Sequence, residues 1–276
     1  MHEKILINYL KDGGISMKSD VTALVLTIGE KTLNKSIGSL KKQSLRPEDI
    51  IIVKNVVPFH KAINKGINMV KTEYFIQCDA DMVLGPDCIE VLRSFMKNKT
   101  GVAIGYLEDA LLGTIQAIKM FRTECVKNTP FPDSITTDSD RISHMRKEGY
   151  RIVFARRKSR KYNHSPDVLG KHRPDYDNPS YVFRKFSLMG SKVRNRHSFD
   201  EFKACLAALK KSKHPMADTA LVAFCHGIFF TRKKCGHKPF KDTKEFKILQ
   251  EFEKESNSEN RIFAITKIKG FNPMSS

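Results

Sequence analysis

The stretch EYFIQCDADMVL, residues 73–84, sets an apolar run directly against two carboxylates, Asp79 and Asp81. A short apolar run rich in aromatic and β-branched side chains reads as a strand buried on both faces, as found inside parallel sheets. At its carboxyl end, Asp79-Ala80-Asp81 sends two carboxylates toward one crevice. Hard divalent cations such as Mg²⁺ and Mn²⁺ take oxygen ligands of this sort together with phosphate oxygens. An acidic pair after a strand also reads as a solvated turn, but charge beside so apolar a run is unwelcome without a role.

On the N-terminal side, VTALVLTI (21–28) is a second buried run that ends at Gly29. Leu33, Ile37 and Leu40 recur at helical spacing until Arg46-Pro47 stops the helix, and DIIIVKN (49–55) follows as a strand. FHKAINKGINMV (59–70) then places Ala62, Ile63, Ile67 and Val70 on one helical face. Strands and helices alternating at these lengths predict an α/β fold with a mainly parallel central sheet flanked by helices. Ligands of such sheets sit beyond the carboxyl ends of the strands, where Gly29, Asn55, Asp79 and Asp81 fall.

On the C-terminal side, Pro86-Asp87 opens a helix over CIEVLRSFMKN, and GVAIGYL and GTIQAIKMF read as strands joined by the loop EDALL. In TTDSDRISHMRKEGYRIVFA (136–155), Asp138 or Ser139 caps a helix that turns Ile142 and Met145 inward. Gly149 ends it, and a last strand follows. Capping, worth about 1 kcal/mol, accounts for one of the carboxylates Asp138 and Asp140. The other is left to act as a general base for a hydroxyl. His172, in LGKHRPDY, reads as an exposed loop residue or as the imidazole that completes a metal shell begun by carboxylates, with His164 a weaker competitor.

Beyond Ala155 the chain turns basic and loop-like through RRKSRKYNHS and GKHRPDYDNPS; residues 151–200 hold 13 Lys/Arg against 4 Asp/Glu. Helical patterning returns with Phe202, Leu206 and Leu209 and with ADTALVAFCHGIFF (217–230). The tail from Lys238 is highly charged and ends in the apolar segment RIFAITKI. The whole chain of 276 residues carries a formal net charge of +19, a field that attracts phosphates, anionic lipids and nucleic acids alike. Six cysteines without a C-x-x-C pair argue against a zinc finger or disulfide framework and for a reducing compartment. No run approaches the ~18 apolar residues of a membrane span, and MHEKILINYLKDGG has neither the apolar stretch nor the small-residue cleavage site of a secretory signal. A cytoplasmic protein, soluble or peripheral at a membrane, is expected.

Taken in order, the strand VTALVLT, the helix ending in SLKKQSLRP, IIIVKN, the A-x-N-x-G of Ala62, Asn64 and Gly66, and EYFIQCDADMVL resemble the inverting family 2 glycosyltransferases. TTDSDRISHMRKEGYRI continues the likeness, which covers roughly Val21 to Phe154. The resemblance implies a GT-A, Rossmann-like fold. It implies donor contacts at Thr27, Gly29 and Asp79, a Mn²⁺ or Mg²⁺ ion on Asp81, and Asp138 as catalytic base; Asn55, Lys61 and Asn64 are expected beside the donor, and His172 is the candidate to complete the metal shell. The reaction implied is displacement at the anomeric carbon of a nucleotide sugar, a UDP-sugar, by an acceptor hydroxyl, with inversion.

Three positions depart from the family pattern. Lys54-Asn55 replaces an acidic pair, Ile63 replaces an arginine whose charge Lys61 or His60 would supply, and Thr137 replaces a glutamate. The expected organisation is an N-terminal segment 1–20, a GT-A domain 21–196 and a basic, mostly helical extension 197–276 packed on or near it.

The acceptor falls outside the resemblance. Arg156, Arg157, Lys158, Arg160, Lys161, Arg184, Lys185, Arg194 and Arg196 suit a glycan or lipid-linked acceptor at an anionic membrane, with helix 217–230 near the interface, in surface polysaccharide or glycolipid synthesis. With Tyr162, Tyr176, Tyr181 and Phe183 interleaved, the same charge also suits a nucleic acid bearing a hydroxymethylated base. A non-catalytic protein that binds sugar nucleotides or polyanions is the third reading.

Overall fold

A computed structural model describes residues 19–134, 136–155, 168–196 and 199–230. His164, Tyr162, the cations from Arg156 to Lys161, and the tail from Lys238 with RIFAITKI lie outside the described residues.

An eight-stranded mixed sheet forms the centre. Its first half is the alternating unit expected: β1 (Val21–Thr27), α1 (Leu33–Lys41), β2 (Asp49–Lys54), α2 (Phe59–Met69) and β3 (Tyr74–Asp79). β1 is buried along its whole length and pairs in parallel with β2 on one side and β3 on the other. Such a strand, covered on both faces, is apolar except where a hydroxyl is hydrogen-bonded, as at Thr22 and Thr27. Helix α2 comes close to β1 because residue 66 is glycine: a Cβ there would stand 2.3 Å from Leu24 Cδ1.

The second half departs from simple parallel winding. β5 (Thr100–Asp109) and β6 (Gly113–Arg122) form a long antiparallel hairpin, and β6 lies antiparallel to β3. Strand pairing draws Glu108 and Asp109 into β5, so the expected EDALL loop shrinks to a tip at residues 110–112. β7 (Arg151–Phe154) pairs with the first part of β5 and β8 (Val168–His172) with its last part, both in parallel. β4 (Met82–Leu84) closes that edge antiparallel to β8. Between these strands, α3 (Cys88–Ser94) ends four residues before the expected helix does, and α4 (Thr123–Lys127) and α5 (Thr137–Lys147) flank the sheet.

The basic stretch read as a loop is largely regular where it is described. Val168–His172 is a strand, and Pro179–Arg196 is a helix, α6. The local pattern hides both elements because β8 runs through Gly170 and Lys171, and α6 scatters its apolar residues among cations.

α6 packs with α7 (Phe199–Lys211) and α8 (Ala217–Phe230) around a core that includes Val182, Phe186, Leu206, Leu221 and Phe224. α6 and α8 approach backbone to backbone at Gly190 and Gly227, where a Cβ would collide with Phe224 O at 2.1 Å and Ser187 O at 1.9 Å. The apolar residues of α8, read as facing a membrane interface, are therefore spent on this core: Ala220, Leu221, Ala223, Phe224 and Ile228 are all buried. No helix among the described residues is long and apolar enough to cross a membrane.

Candidate active site

Three strand ends and one helix start bring the acidic residues together. β3 delivers Asp79 at its carboxyl end, and the turn into β4 delivers Asp81. On β4 the next residue, Met82, is in register with His172 of β8, and Arg173 N–H donates to Asp81 O at 2.6 Å. Backbone pairing thus lays His172 against Asp81, and His172 Nε2 stands 3.2 Å from Asp81 Oδ2. The structure brings Asp81 and His172 together, with His172 on a strand and mostly buried where a loop residue was expected.

Asp79 and Asp81 differ in environment. Burial and the neighbouring charge of Asp81 push the Asp79 carboxyl up. Burial acts upward on Asp81 as well, but the hydrogen bond and charge of His172, with Lys185, outweigh it and leave Asp81 below its usual range. Oδ1 of each is buried and has no hydrogen-bond partner. Unpartnered buried carboxylate oxygens beside an imidazole nitrogen form a donor set that suits Mn²⁺ or Mg²⁺. Among the described residues no group of three or more His, Cys, Asp or Glu side chains is gathered around one ion position. A cation held by Asp81 and His172 would take its remaining ligands from phosphate or water.

Asp138 lies in the first turn of α5 and does not cap it. The N-cap is Thr136, and it makes no side-chain cap hydrogen bond. The structural carboxylate is Asp140, whose Oδ2 accepts from Ser134 Oγ at 2.5 Å and Thr136 Oγ1 at 2.8 Å. Asp138 instead meets Lys119 of β6, with Nζ 2.9 Å from Oδ2. Burial would raise the Asp138 carboxyl, but the charge and hydrogen bond of Lys119, with Lys192 adding, bring it down to about 2. Lys119 is in register with Gln77, two residues before Asp79, so one cation lies between the strand-end carboxylates and α5. Its signal was present in the sequence as the one charge inside the apolar run GTIQAIKMF.

The donor-side residues divide. Thr27 Oγ1 donates to Glu30 Oε2 at 2.5 Å and accepts from Gly29 N–H at 3.0 Å, shaping a tight turn with Gly29 at φ 104°. Asn55, at φ 55°, continues the ladder by donating its N–H to Thr27 O at 2.9 Å. Both stand at the carboxyl edge of the sheet with exposed Ile28 and Val57 nearby in sequence. Lys61 is exposed on α2, while His60 is paired with Asp133 at 3.2 Å. Ile63 is wholly buried in the core. Asn64 is spent elsewhere: its Nδ2 donates to Phe131 O and its Oδ1 accepts from Phe131 N–H, both at 2.9 Å. It clamps the segment leading to α5.

Two further residues have roles other than those expected from the sequence. Lys185 of α6, read as a membrane-facing cation, points inward, with Nζ 3.4 Å from His172 Nε2 and 4.0 Å from Asp81 Oδ2. Tyr176, read as a stacking group for nucleic acid, is buried with its hydroxyl on Asp109.

Residues 54–112 match the profile of Glycosyl transferase family 2, a span from the end of β2 to the tip of the β5–β6 hairpin that includes Asp79 and Asp81. This segment's likeness to the family 2 glycosyltransferases falls on the part of the α/β sheet that carries the strand-end carboxylates. Among solved structures the chain is similar to the mannosyltransferase PcManGT from Pyrobaculum calidifontis in complex with GDP-Man and Mn²⁺. The likeness has 14% identity and a TM-score of 0.49, over 92% of this chain and 84% of that one. It is similar also to TarS of S. aureus, with 14% identity and a TM-score of 0.41, over 77% of this chain and 44% of that one. No curated protein sequence matches.

Proposed function

We propose that the chain moves a sugar from a nucleotide-sugar donor to an acceptor hydroxyl with inversion, using a divalent cation held by Asp81 and His172 and Asp138 as base. The observation that carries this reading is the convergence of Asp79, Asp81 and His172 at the sheet edge with Asp138 across Lys119. When bound, the cation neutralises charge on the departing nucleoside diphosphate. Lys185, beside the same pair, adds a second positive charge toward that group. Asp79, raised but still mostly ionised near neutral pH, accepts hydrogen bonds from donor hydroxyls. The turn at Thr27 and Gly29, Asn55 and the exposed Ile28 and Val57 offer a polar and apolar edge for a nucleobase such as uracil.

Asp138 is ionised at every ordinary working pH and takes the proton of the acceptor hydroxyl as that oxygen attacks the anomeric carbon. The acceptor we infer is a glycan or lipid-linked glycan of a surface polysaccharide or glycolipid pathway, reached by the excess of cations in residues 151–200.

Hydrolysis and binding of a panel of UDP-, GDP- and dTDP-sugars with Mn²⁺ tests the enzyme reading. Turnover of at least one donor is expected, and neither turnover nor binding with any of them would sink it. Binding to anionic vesicles compared with a hydroxymethylated DNA duplex across a salt series tests the acceptor class. Tighter binding to the duplex would transfer the reading to nucleic acid.

A further inference from the structure

The most completely engaged side chain near the site is one the proposed chemistry does not use. Asp109, at the end of β5, has a fully buried side chain. Its Oδ1 accepts from Leu111 N–H and Leu112 N–H, each at 2.8 Å, so the hairpin tip fixes the carboxylate plane. Its Oδ2 accepts from Tyr176 hydroxyl at 2.7 Å and faces His172 Nδ1 at 2.6 Å. Sheet register enforces the last contact, because Asp109 pairs with His172 across β5 and β8, as Met82 does across β4 and β8. The imidazole is therefore held between two carboxylates, one at each nitrogen.

We infer that Asp109 is a positioning residue for the cation site: it holds His172 with its proton on Nδ1 and so presents Nε2, beside Asp81, as the metal-binding nitrogen. This rests on the reading of Asp81 and His172 as cation ligands. A buried carboxylate with two amide donors already on one oxygen has only acceptor capacity left, so the ring nitrogen facing it must be the donor. In the neutral ring Nε2 then carries the lone pair, which the ammonium of Lys185, 3.4 Å away, can meet; a proton added at Nε2 is donated to Asp81 Oδ2, 3.2 Å away, and a bound cation takes that proton's place. Hydrogen bonds of this kind orient metal-binding histidines, and losing one costs about 10–100-fold in metal affinity. Tyr176 ties the arrangement to the helical core through its contact with Phe186, so β5, β8 and α6 act on one ring.

Asp109→Asn is the sharpest test. The amide oxygen can still serve Leu111 and Leu112, but the NH₂ group then donates to Nδ1 and drives the proton to Nε2. Two measurements are made: imidazole nitrogen NMR of the metal-free protein at a pH where the ring is neutral, and Mn²⁺ affinity by electron spin resonance. An Nδ1-protonated His172 in the wild type, an Nε2-protonated one in Asp109→Asn, and a loss of about 10–100-fold in Mn²⁺ affinity are expected. Tyr176→Phe keeps the tautomer and loses less affinity. If His172→Ala weakens Mn²⁺ binding and a folded Asp109→Asn does not, the positioning role is wrong while the metal site stands. If His172→Ala binds Mn²⁺ as the wild type does, the ligand assignment itself fails. Should Asp109→Asn not fold, the wild-type spectrum decides, because an Nε2-protonated ring overturns the inference.

Discussion

Lys119 Nζ rests 2.9 Å from Asp138 Oδ2 and joins the middle of β6 to the first turn of α5. The lysine is buried in a strand whose neighbour, β3, ends at Asp79. It keeps Asp138 ionised where burial alone would favour a proton, and in doing so it limits how strong a base Asp138 can be.

Removing that cation as Lys119→Met leaves burial unopposed, and the Asp138 carboxyl rises from about 2. The acid limb of kcat/KM moves to higher pH by about one to three pH units, the effect of an opposite charge at this range. A pH–rate profile that does not move would place the acid limb on another group.

The same pair sets a pH dependence of stability. Asp138 has a folded value of about 2, below the ordinary range of an unfolded Asp at about 3.9. Its contribution is fully present above the unfolded value and is lost as pH falls through the folded one. Urea midpoints of the wild type and Asp138→Asn therefore differ by a constant amount at pH 5 to 6 and converge below pH 4. A gap that is the same at pH 3 and pH 6 contradicts the assignment.

As base, Asp138 acts on the acceptor and not on the donor. Asp138→Asn lowers transfer by about 10²–10⁴-fold with donor affinity retained, measured by transfer kinetics and calorimetry in parallel. Unchanged transfer rates would remove it from the role.

At the other end of the site, Asp81→Ala abolishes metal-dependent transfer and the stabilisation of the protein by Mn²⁺, with circular dichroism unaltered. The unpartnered Oδ1 and the facing His172 nitrogen motivate this. Full activity would put the cation elsewhere.

Asn64→Ala strips both polar groups of Phe131 of their partners. A loss of about 1–3 kcal/mol in urea unfolding is expected, with kcat falling more than donor affinity because the clamped segment leads to Asp138. An equal loss of donor affinity would return Asn64 to the donor pocket.

The alternating first half was legible because each signal there is local. β1 and β3 are buried on both faces and are largely apolar, and Gly66 marks the close approach of α2 to β1. Asp79 and Asp81 stand out for a related reason, as carboxylates beside apolar strands, whereas the local pattern leaves open which of Asp138 and Asp140 exceeds the needs of the helix start. β8 and α6 were obscured by their own charge, since Lys171, Arg184 and Lys185 read as solvated cations although Lys185 turns inward.

The sequence by itself determined the α/β alternation, the strand-end carboxylates and that α5 starts with more carboxylates than a cap needs, because periodicity and the cost of burying charge act over a few residues. Only the tertiary structure decided the partners of those residues. Lys119 on Asp138, Asp109 on His172, and Asn64 on Phe131 are contacts across 19, 63 and 67 residues, fixed by sheet register and side-chain geometry that no local pattern encodes.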